Sequence, residues 1–364
     1  DYVVRSDATN AVEVISLLKP DYYVKGADYK DTSDGTIGVT HTQLDEEIAA
    51  VQRFGGQTVF TDTPLASSSA LINQSLSPLP LHAQTFMMTF KGTHTYKDIV
   101  GWLDAIKGER ITFVGDSVLD EYHYVDVAGK SAKELLICYR SAEVEVFPGG
   151  VLAAIRHAAE FCDDVKLVTV VSSNDSDLAF IGSHIPKNVR VRFVVDKEHQ
   201  TVRKTRFIEQ SFGTKVFYVA QIDGGSLTQS VESKVIDTIT MMKTTSDLIS
   251  VLDYGHGVMT PTVRDSLFTG HHLPIALNVQ SNSLNWGFNL VHQYPHRAQY
   301  ICCDIPEAQL TLGTRSLDAP HMANQIRWDM EADVVAVTAG HQGSSIVGES
   351  DAARVPVLCQ KAPD

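Results

Sequence analysis

The sequence predicts an α/β protein built on a parallel sheet covered by helices, and three observations predict it. From residue 110 onward, short apolar runs alternate with segments of helical spacing, the pattern of strands buried on both faces. A shorter α-β-α-β-α alternation fills residues 1–75. Third, an apolar run in ITFVGDSVLDEY (111–122) ends in Gly-Asp, and FPGG (147–150) precedes a helix-like run. Strand C-termini beside glycine turns are where open α/β sheets hold ligands.

Taken in order, residues 11–19 read as a short helix stopped by Pro20, and 22–24 as a strand closed by Lys25-Gly26. Leu44, Ile48, Val51 and Phe54 share one face of a helix over 43–54, capped by Gly55-Gly56. Residues 58–60 read as the next strand, and Ser67–Ser69 as a helix N-terminus. Residues 76–108 read as a linker, with SLSPLPLHAQ (75–84) loop-like and 96–106 helical on Ile99, Trp102, Leu103 and Ile106.

The second alternation places strands at 111–114, 166–171, 189–195, 215–219, 248–252, 275–279, 300–303 and 334–337. Helices are expected at 151–162 and 227–242, and β-rich stretches after Val127 and near 190–220 suggest a small accessory sheet.

The chain has 364 residues, 43% of them hydrophobic, enough for a substantial core. Its net charge of −14 argues against general nucleic-acid binding, which needs clustered cations, but not against one phosphorylated metabolite. No apolar run reaches membrane-spanning length and the N-terminus carries no signal pattern, so a cytoplasmic protein without membrane contact is expected. The five cysteines lack CxxC spacing and read as reduced, mostly buried thiols. The fourteen histidines form no HExxH, and no GxGxxG follows a strand, which disfavours a Rossmann dehydrogenase.

Several motifs fall in one order. Gly115, Asp116 and Asp120 open the second half; a carboxylate that accepts two hydroxyl donors reads a sugar well. Gly149 and Gly150 admit close approach of a substrate to the backbone. In TVRKTRF, Thr201 precedes Lys204 and Arg206, two cations on one strand face suited to a phosphate. DYGHG starts at Asp253, and NVQSNSLNWGFN (278–289) carries amides, Asn278 and Gln280 among them, suited to hydroxyls or to loop building. Glu307 follows in DIPEAQL, and Thr338, Gly340 and Gly343 follow in VTAGHQGS, where glycines allow backbone amides near phosphates.

This series resembles the ribokinase (PfkB) family of carbohydrate kinases over residues 109–364. The resemblance implies a ribokinase-like parallel sheet flanked by helices with a small β lid. It implies Asp116, Asp120, Gly149, Gly150, Lys204, Arg206, Asp253, Asn278 and Gln280 as substrate-binding residues. Thr338, Gly340 and Gly343 would bind ATP, and Glu307 would act on Mg²⁺ through water. Ala153 and Arg156 stand where the family carries an Asn, His256 where Lys is common in DYGKG, and Asp304 where Asn precedes Glu307.

LLKPDYYVKGADY resembles the late part of a cytidylyltransferase-like domain, a partial Rossmann-like nucleotidyltransferase carried by Lys25, Gly26, Asp28, Tyr29 and the run Ser67, Ser68 and Ser69. Residues 1–75 are assigned to it. The two resemblances together are those of bifunctional enzymes joining a sugar-phosphate kinase, with a heptose phosphate as the expected substrate, to a nucleotidyltransferase for nucleotide-sugar synthesis. The substrates implied are a sugar phosphate and a nucleotide, with a homodimer through the lid as the expected assembly. The family's HxGH is absent, and its catalytic base, in a GAGD segment, is expected beyond Asp364. The chain is therefore expected to be the interior of a longer protein and inactive as a fragment. A non-catalytic pseudokinase that binds sugar or nucleotide is the alternative.

Overall fold

A computed structural model describes residues 10–26, 41–61, 79–222, 227–270, 273–295 and 297–358. Asp28, Tyr29, Ser67–Ser69, Cys359 and the residues after it lie outside these. The chain divides into two compact units between Pro78 and Leu79.

In the first unit a helix Val12–Leu18 precedes β1 (Tyr22–Lys25), and a helix His41–Arg53 precedes β2 (Gln57–Phe60). The strands pair in parallel, Tyr22 opposite Gln57. Ile15, Ala50 and Val51 form the core, with Tyr23 packed against it. The first helix closes where expected, on Lys19 in a left-handed conformation ahead of Pro20.

The second unit begins with helices Leu81–Thr93 and Tyr96–Lys107. The first corrects the loop expected over residues 75–84. Pro80 acts as its N-cap rather than as a breaker, its φ of −57° already suited to entering a helix. Fourteen-residue strands β4 (Ser117–Lys130) and β5 (Ile137–Gly150) follow β3 (Arg110–Gly115). The helix Val151–Ala158 is shorter than the expected span to residue 162, because Glu160 and Phe161 bond three residues back, to the His157 and Ala158 carbonyls, and tighten the chain into turns. Next come β6 (Asp164–Ser172), a helix Asp175–Ser183, β7 (Val189–Asp196), β8 (Val202–Glu209) and β9 (Thr214–Gln221).

The C-terminal half alternates regularly: helix Gln229–Lys243, β10 (Leu248–Asp253), helix Pro261–Phe268, β11 (Ile275–Val279), β12 (Tyr300–Asp304), helices Ile305–Leu312 and Ala319–Asp329, and β13 (Val334–Thr338). The strands β14 (Ser344–Val347) and β15 (Ala352–Val355) close the described chain and carried no apolar run by which to foresee them.

Nine strands form one sheet in the order β15-β14-β13-β12-β11-β10-β3-β6-β7, parallel from β7 to β13. Alternation along each strand feeds two cores. Val114 and Val168 face the cluster under the C-terminal helices, while their neighbours Phe113 and Leu167 face the helix Val151–Ala158. A second sheet, β5-β4-β8-β9, is the accessory sheet. It starts at Ser117 rather than after Val127, and β7 belongs to the main sheet rather than to it. The first difference arises because β4 leaves β3 through the Gly115-Asp116 step with no intervening loop, and the second because β7 pairs in parallel with β6.

Candidate functional site

The site forms where the C-termini of β3, β10, β11 and β12 meet the accessory sheet. Asp116 is 1% exposed and works as a buried tie. Its Oδ2 accepts from the backbone N–H of Tyr254 (2.8 Å) and His256 (3.3 Å), and its Oδ1 from that of Val258 (3.1 Å). Burial, with Asp253 adding to it, pushes its carboxyl up to about 7 against the pull of those three donors. The carboxylate thus holds the turn after β10 against the end of β3, and it does not line the cavity described next.

That cavity, of about 420 Å³, opens between the two sheets. Asp120, Gly150, Lys204, Arg206 and Gln280 line it, which brings together five of the residues singled out from sequence. Arg206 donates to Asp120 across the β4–β8 ladder, and its guanidinium lies 5.3 Å from the Tyr122 ring centre. Lys204 lies on the same strand face, 6.0 Å from the ring centre of Tyr254, and burial holds its ammonium below the usual lysine range. One carboxylate and two cations leave the cavity positive. Arg203, pointing the other way, pairs with Glu121 at 3.0 Å and with Asp177 at 2.8 Å and braces the strand. Thr201 acts one shell back, accepting the Ser172 N–H at 3.0 Å.

Gly149 is adjacent to the cavity through what it lacks. A Cβ there would overlap the Asp120 carboxylate. Gly150, at φ +59°, turns the chain from β5 into the helix Val151–Ala158, whose first N–H reaches the Asp116 carbonyl at 3.0 Å.

Asp253 is 1% exposed and fully committed. It accepts from Tyr294 Oη (2.7 Å), the Gly255 N–H (2.8 Å), Asn289 Nδ2 (3.1 Å) and Arg264 Nη2 (3.2 Å). It sits away from the 420 Å³ cavity and lines a neighbouring one of about 360 Å³ with Arg264 and Asn289. Asn282 and Asn285 both donate to the Tyr254 carbonyl, so much of the amide-rich run builds its own loop. Gln280, Asn282 and Ser283 still reach the first cavity, whereas Asn278 donates to the Cys302 carbonyl at 3.0 Å. His256 is buried, burial and then Lys204 bring its imidazole down to about 4, and its Nε2 has no hydrogen-bond partner among the described residues.

Asp304 and Glu307 cap the helix Ile305–Leu312 reciprocally, at 2.7 and 2.8 Å. Burial is the main reason that the Glu307 carboxyl rises to about 7. Among the described residues no group of three or more His, Cys, Asp or Glu side chains gathers to hold a metal. Thr338 ends β13, and the turn after it carries Gly340 at φ +52° and Gly343 at φ +88°. In the first unit Lys25 pairs with Glu47 at 2.7 Å, Tyr23 donates to the same carboxylate at 3.0 Å, and Gly26 follows β1.

Sequence reading missed Tyr218, Tyr254, Asn282 and Leu284 as lining residues. Tyr254 carried a signal as part of DYGHG, and Asn282 and Leu284 as part of the amide-rich run 278–289; Tyr218 reaches the cavity only through strand packing.

No family model matches the chain. The bifunctional protein HldE of Bradyrhizobium diazoefficiens is 24% identical over 269 residues, 71% of this chain and 52% of that protein. HldE of Nitrobacter winogradskyi is 24% identical over 275 residues, 73% and 55% respectively. Escherichia coli phosphofructokinase-2 in its tetrameric inhibited form superposes with a TM-score of 0.54 at 12% identity, covering 68% of this chain and 79% of that one. Its complex with fructose-6-phosphate gives 0.53 at 13% identity, covering 68% and 80%. Over these residues the chain is similar to the HldE proteins, and its second unit shares the fold of phosphofructokinase-2. It spans about half the length of the curated relatives it matches. Among the described residues no helix is long and apolar enough to cross a membrane.

Proposed function

We propose that the second unit is a carbohydrate kinase that binds a sugar phosphate, of the heptose-phosphate class, beneath the accessory sheet. The observation that carries this reading is the convergence of Asp120, Lys204, Arg206 and Gln280 on one positive cavity of about 420 Å³. Asp120 accepts sugar hydroxyls while Arg206 holds its carboxylate in place. Lys204 is the cation left over for the phosphate, partly desolvated and so strengthened toward an anion. Gln280 and Asn282 offer amides to the remaining hydroxyls.

ATP would supply the phosphoryl group, and the Thr338–Gly343 turn, with its positive-φ glycines, fits the holding of its phosphates. Glu307, already bonded to the Asp304 N–H and part of no group of three or more His, Cys, Asp or Glu side chains among the described residues, suits Mg²⁺ through water and not direct ligation. Lys25 and Gly26 belong, in this reading, to a nucleotidyltransferase-like unit. The expected assembly is a homodimer through the accessory sheet, which exposes Val144, Phe147, Phe217 and Val219.

The test is ADP formation by the full-length protein against a panel of phosphorylated sugars. Turnover that falls at least tenfold in Lys204→Met, with the fold intact, is expected. Binding of sugar phosphate without turnover would favour the non-catalytic alternative, to which His256 and Asp304 at motif positions point; no binding would refute the cavity assignment.

A further inference from the structure

Leu284 is the one residue, among those described, that lines both the cavity of about 420 Å³ and its neighbour of about 360 Å³. The two cavities otherwise divide the same segments between them. Tyr254 faces the first and Gly255 and His256 the second; Asn282 and Ser283 face the first, and Asn285 and Phe288 the second. We infer that Leu284 is a specificity-determining residue: carried on a rigid loop, it forms the ridge between the cavities and limits the site to a single sugar unit. The inference rests on the reading of the larger cavity as the sugar-phosphate site, and it gives the remainder of the amide-rich run a function, that of a wall.

A ridge excludes a ligand only if it does not yield, and the loop after β11 is tied at both ends and across its middle. Ser281 and Asn289, near its ends, are buried. Ser281 Oγ accepts the Gly287 N–H at 2.9 Å, and Asn289 Nδ2 donates to the Gln280 carbonyl at 3.2 Å, so the two ends of the loop are bonded to each other. Inside it, Asn285 Oδ1 accepts the Asn282 N–H at 2.6 Å, and Asn282 Oδ1 accepts the Leu284 N–H at 3.0 Å, which fixes the backbone that carries Leu284. The amides of Asn282 and Asn285 then join the loop to the turn after β10, meeting the Tyr254 carbonyl at 2.9 and 3.0 Å. The approach is close enough that a Cβ on Gly255 would overlap the Asn285 amide.

These bonds hold the main chain and leave the Leu284 side chain, 57% exposed, between the two openings. Beyond it the second cavity has the composition of a small-molecule site, with Thr260, Arg264 and Asn285 as polar lining and Phe288 as an exposed ring. A ligand of one sugar unit ends at Leu284. A ligand of two must cross an isobutyl group, which offers no hydrogen bond to the hydroxyls it would desolvate.

The experiment is calorimetric titration of the full chain with sedoheptulose 7-phosphate, one sugar unit, and with trehalose 6-phosphate, two. Wild type should bind the first and exclude the second. Leu284→Ala should weaken the first about two- to fivefold through lost contact and admit the second, moving the ratio of the two affinities by at least about tenfold. Asn285→Ala, which unties the loop, should move the ratio in the same direction. Leu284→Met, of similar volume, should keep the wild-type ratio, and so should Trp286→Ala, a change at an exposed neighbour that lines neither cavity. No gain of trehalose 6-phosphate binding in Leu284→Ala, or wild-type binding of trehalose 6-phosphate as tight as that of sedoheptulose 7-phosphate, would overturn the inference and leave the kinase reading intact. Failure of wild type and every variant to bind either phosphate would overturn the inference together with the cavity assignment.

Discussion

Two neighbouring glycines should fail in different ways when alanine replaces them. At Gly149 the added methyl meets the Asp120 carboxylate, a side chain that is able to rotate. Rotation breaks its ion pair with Arg206, whose side chains are 22% and 29% exposed, so the stability cost is only about 1 kcal/mol. Substrate binding suffers more. A hydrogen bond to a charged group is worth about 1.5–3 kcal/mol, so losing the aligned carboxylate should weaken a sugar ligand about 10- to 100-fold. At Gly150 the obstacle is backbone: a Cβ would stand 2.5 Å from the Asp116 carbonyl oxygen, on a residue with φ +59° and ψ −135°. That conformation alone costs a non-glycine residue about 1–3 kcal/mol, and the overlap adds to it. Gly150→Ala should therefore lose about 3 kcal/mol or more of stability. Urea denaturation and sugar-phosphate titration of both variants separate the effects. Equal stability losses, or wild-type affinity in Gly149→Ala, would refute the reasoning.

Two further perturbations test the buried charges. Glu307 has a folded pKa near 7 against an ordinary 4.5, so the folded state binds its proton more tightly. Its contribution is fully present below about pH 4.5 and is lost as pH rises through 7, at about 1.4 kcal/mol per pH unit, or up to about 3 kcal/mol. Glu307→Gln keeps an acceptor for the Asp304 N–H and should flatten that part of the stability–pH curve between pH 5 and 8; identical slopes would disprove the burial argument. Arg264→Ala should cost about 3 kcal/mol in urea denaturation, because it leaves the 1%-exposed Asp253 with neutral donors only; a loss below about 1 kcal/mol would mean that Tyr294, Asn289 and the Gly255 N–H suffice.

Much of the sheet was legible because its strands are buried on both faces. The run 275–279 coincides with β11, and 248–252 falls one residue short of β10. Legibility failed where burial is partial. The helix Leu81–Thr93 buries only Ala83 fully, so its apolar positions gave no sharp periodicity against two nearby prolines. β14 and β15 are short and Ser/Ala-rich, and they exist as partners of β13.

The candidate site divides along the same line. The family resemblance of the motifs, together with the chemistry of the residues themselves, pointed to Asp120, Gly150, Lys204, Arg206 and Gln280 as suited to a phosphorylated sugar, because hydroxyl and phosphate recognition depends on local chemistry that a sequence displays. What each carboxylate does was settled only by packing. Asp116 and Asp253 carry the same group as Asp120 and end or follow apolar strands in the same way. The fold encloses the first two at 1% exposure and spends their oxygens on backbone N–H groups, Tyr294, Asn289 and Arg264, whereas Asp120 stays at the cavity wall. A buried carboxylate must be satisfied by protein donors, and those donors come from segments more than a hundred residues away for Asp116. No local pattern encodes that distance; the parallel pairing of β3 with β10 does.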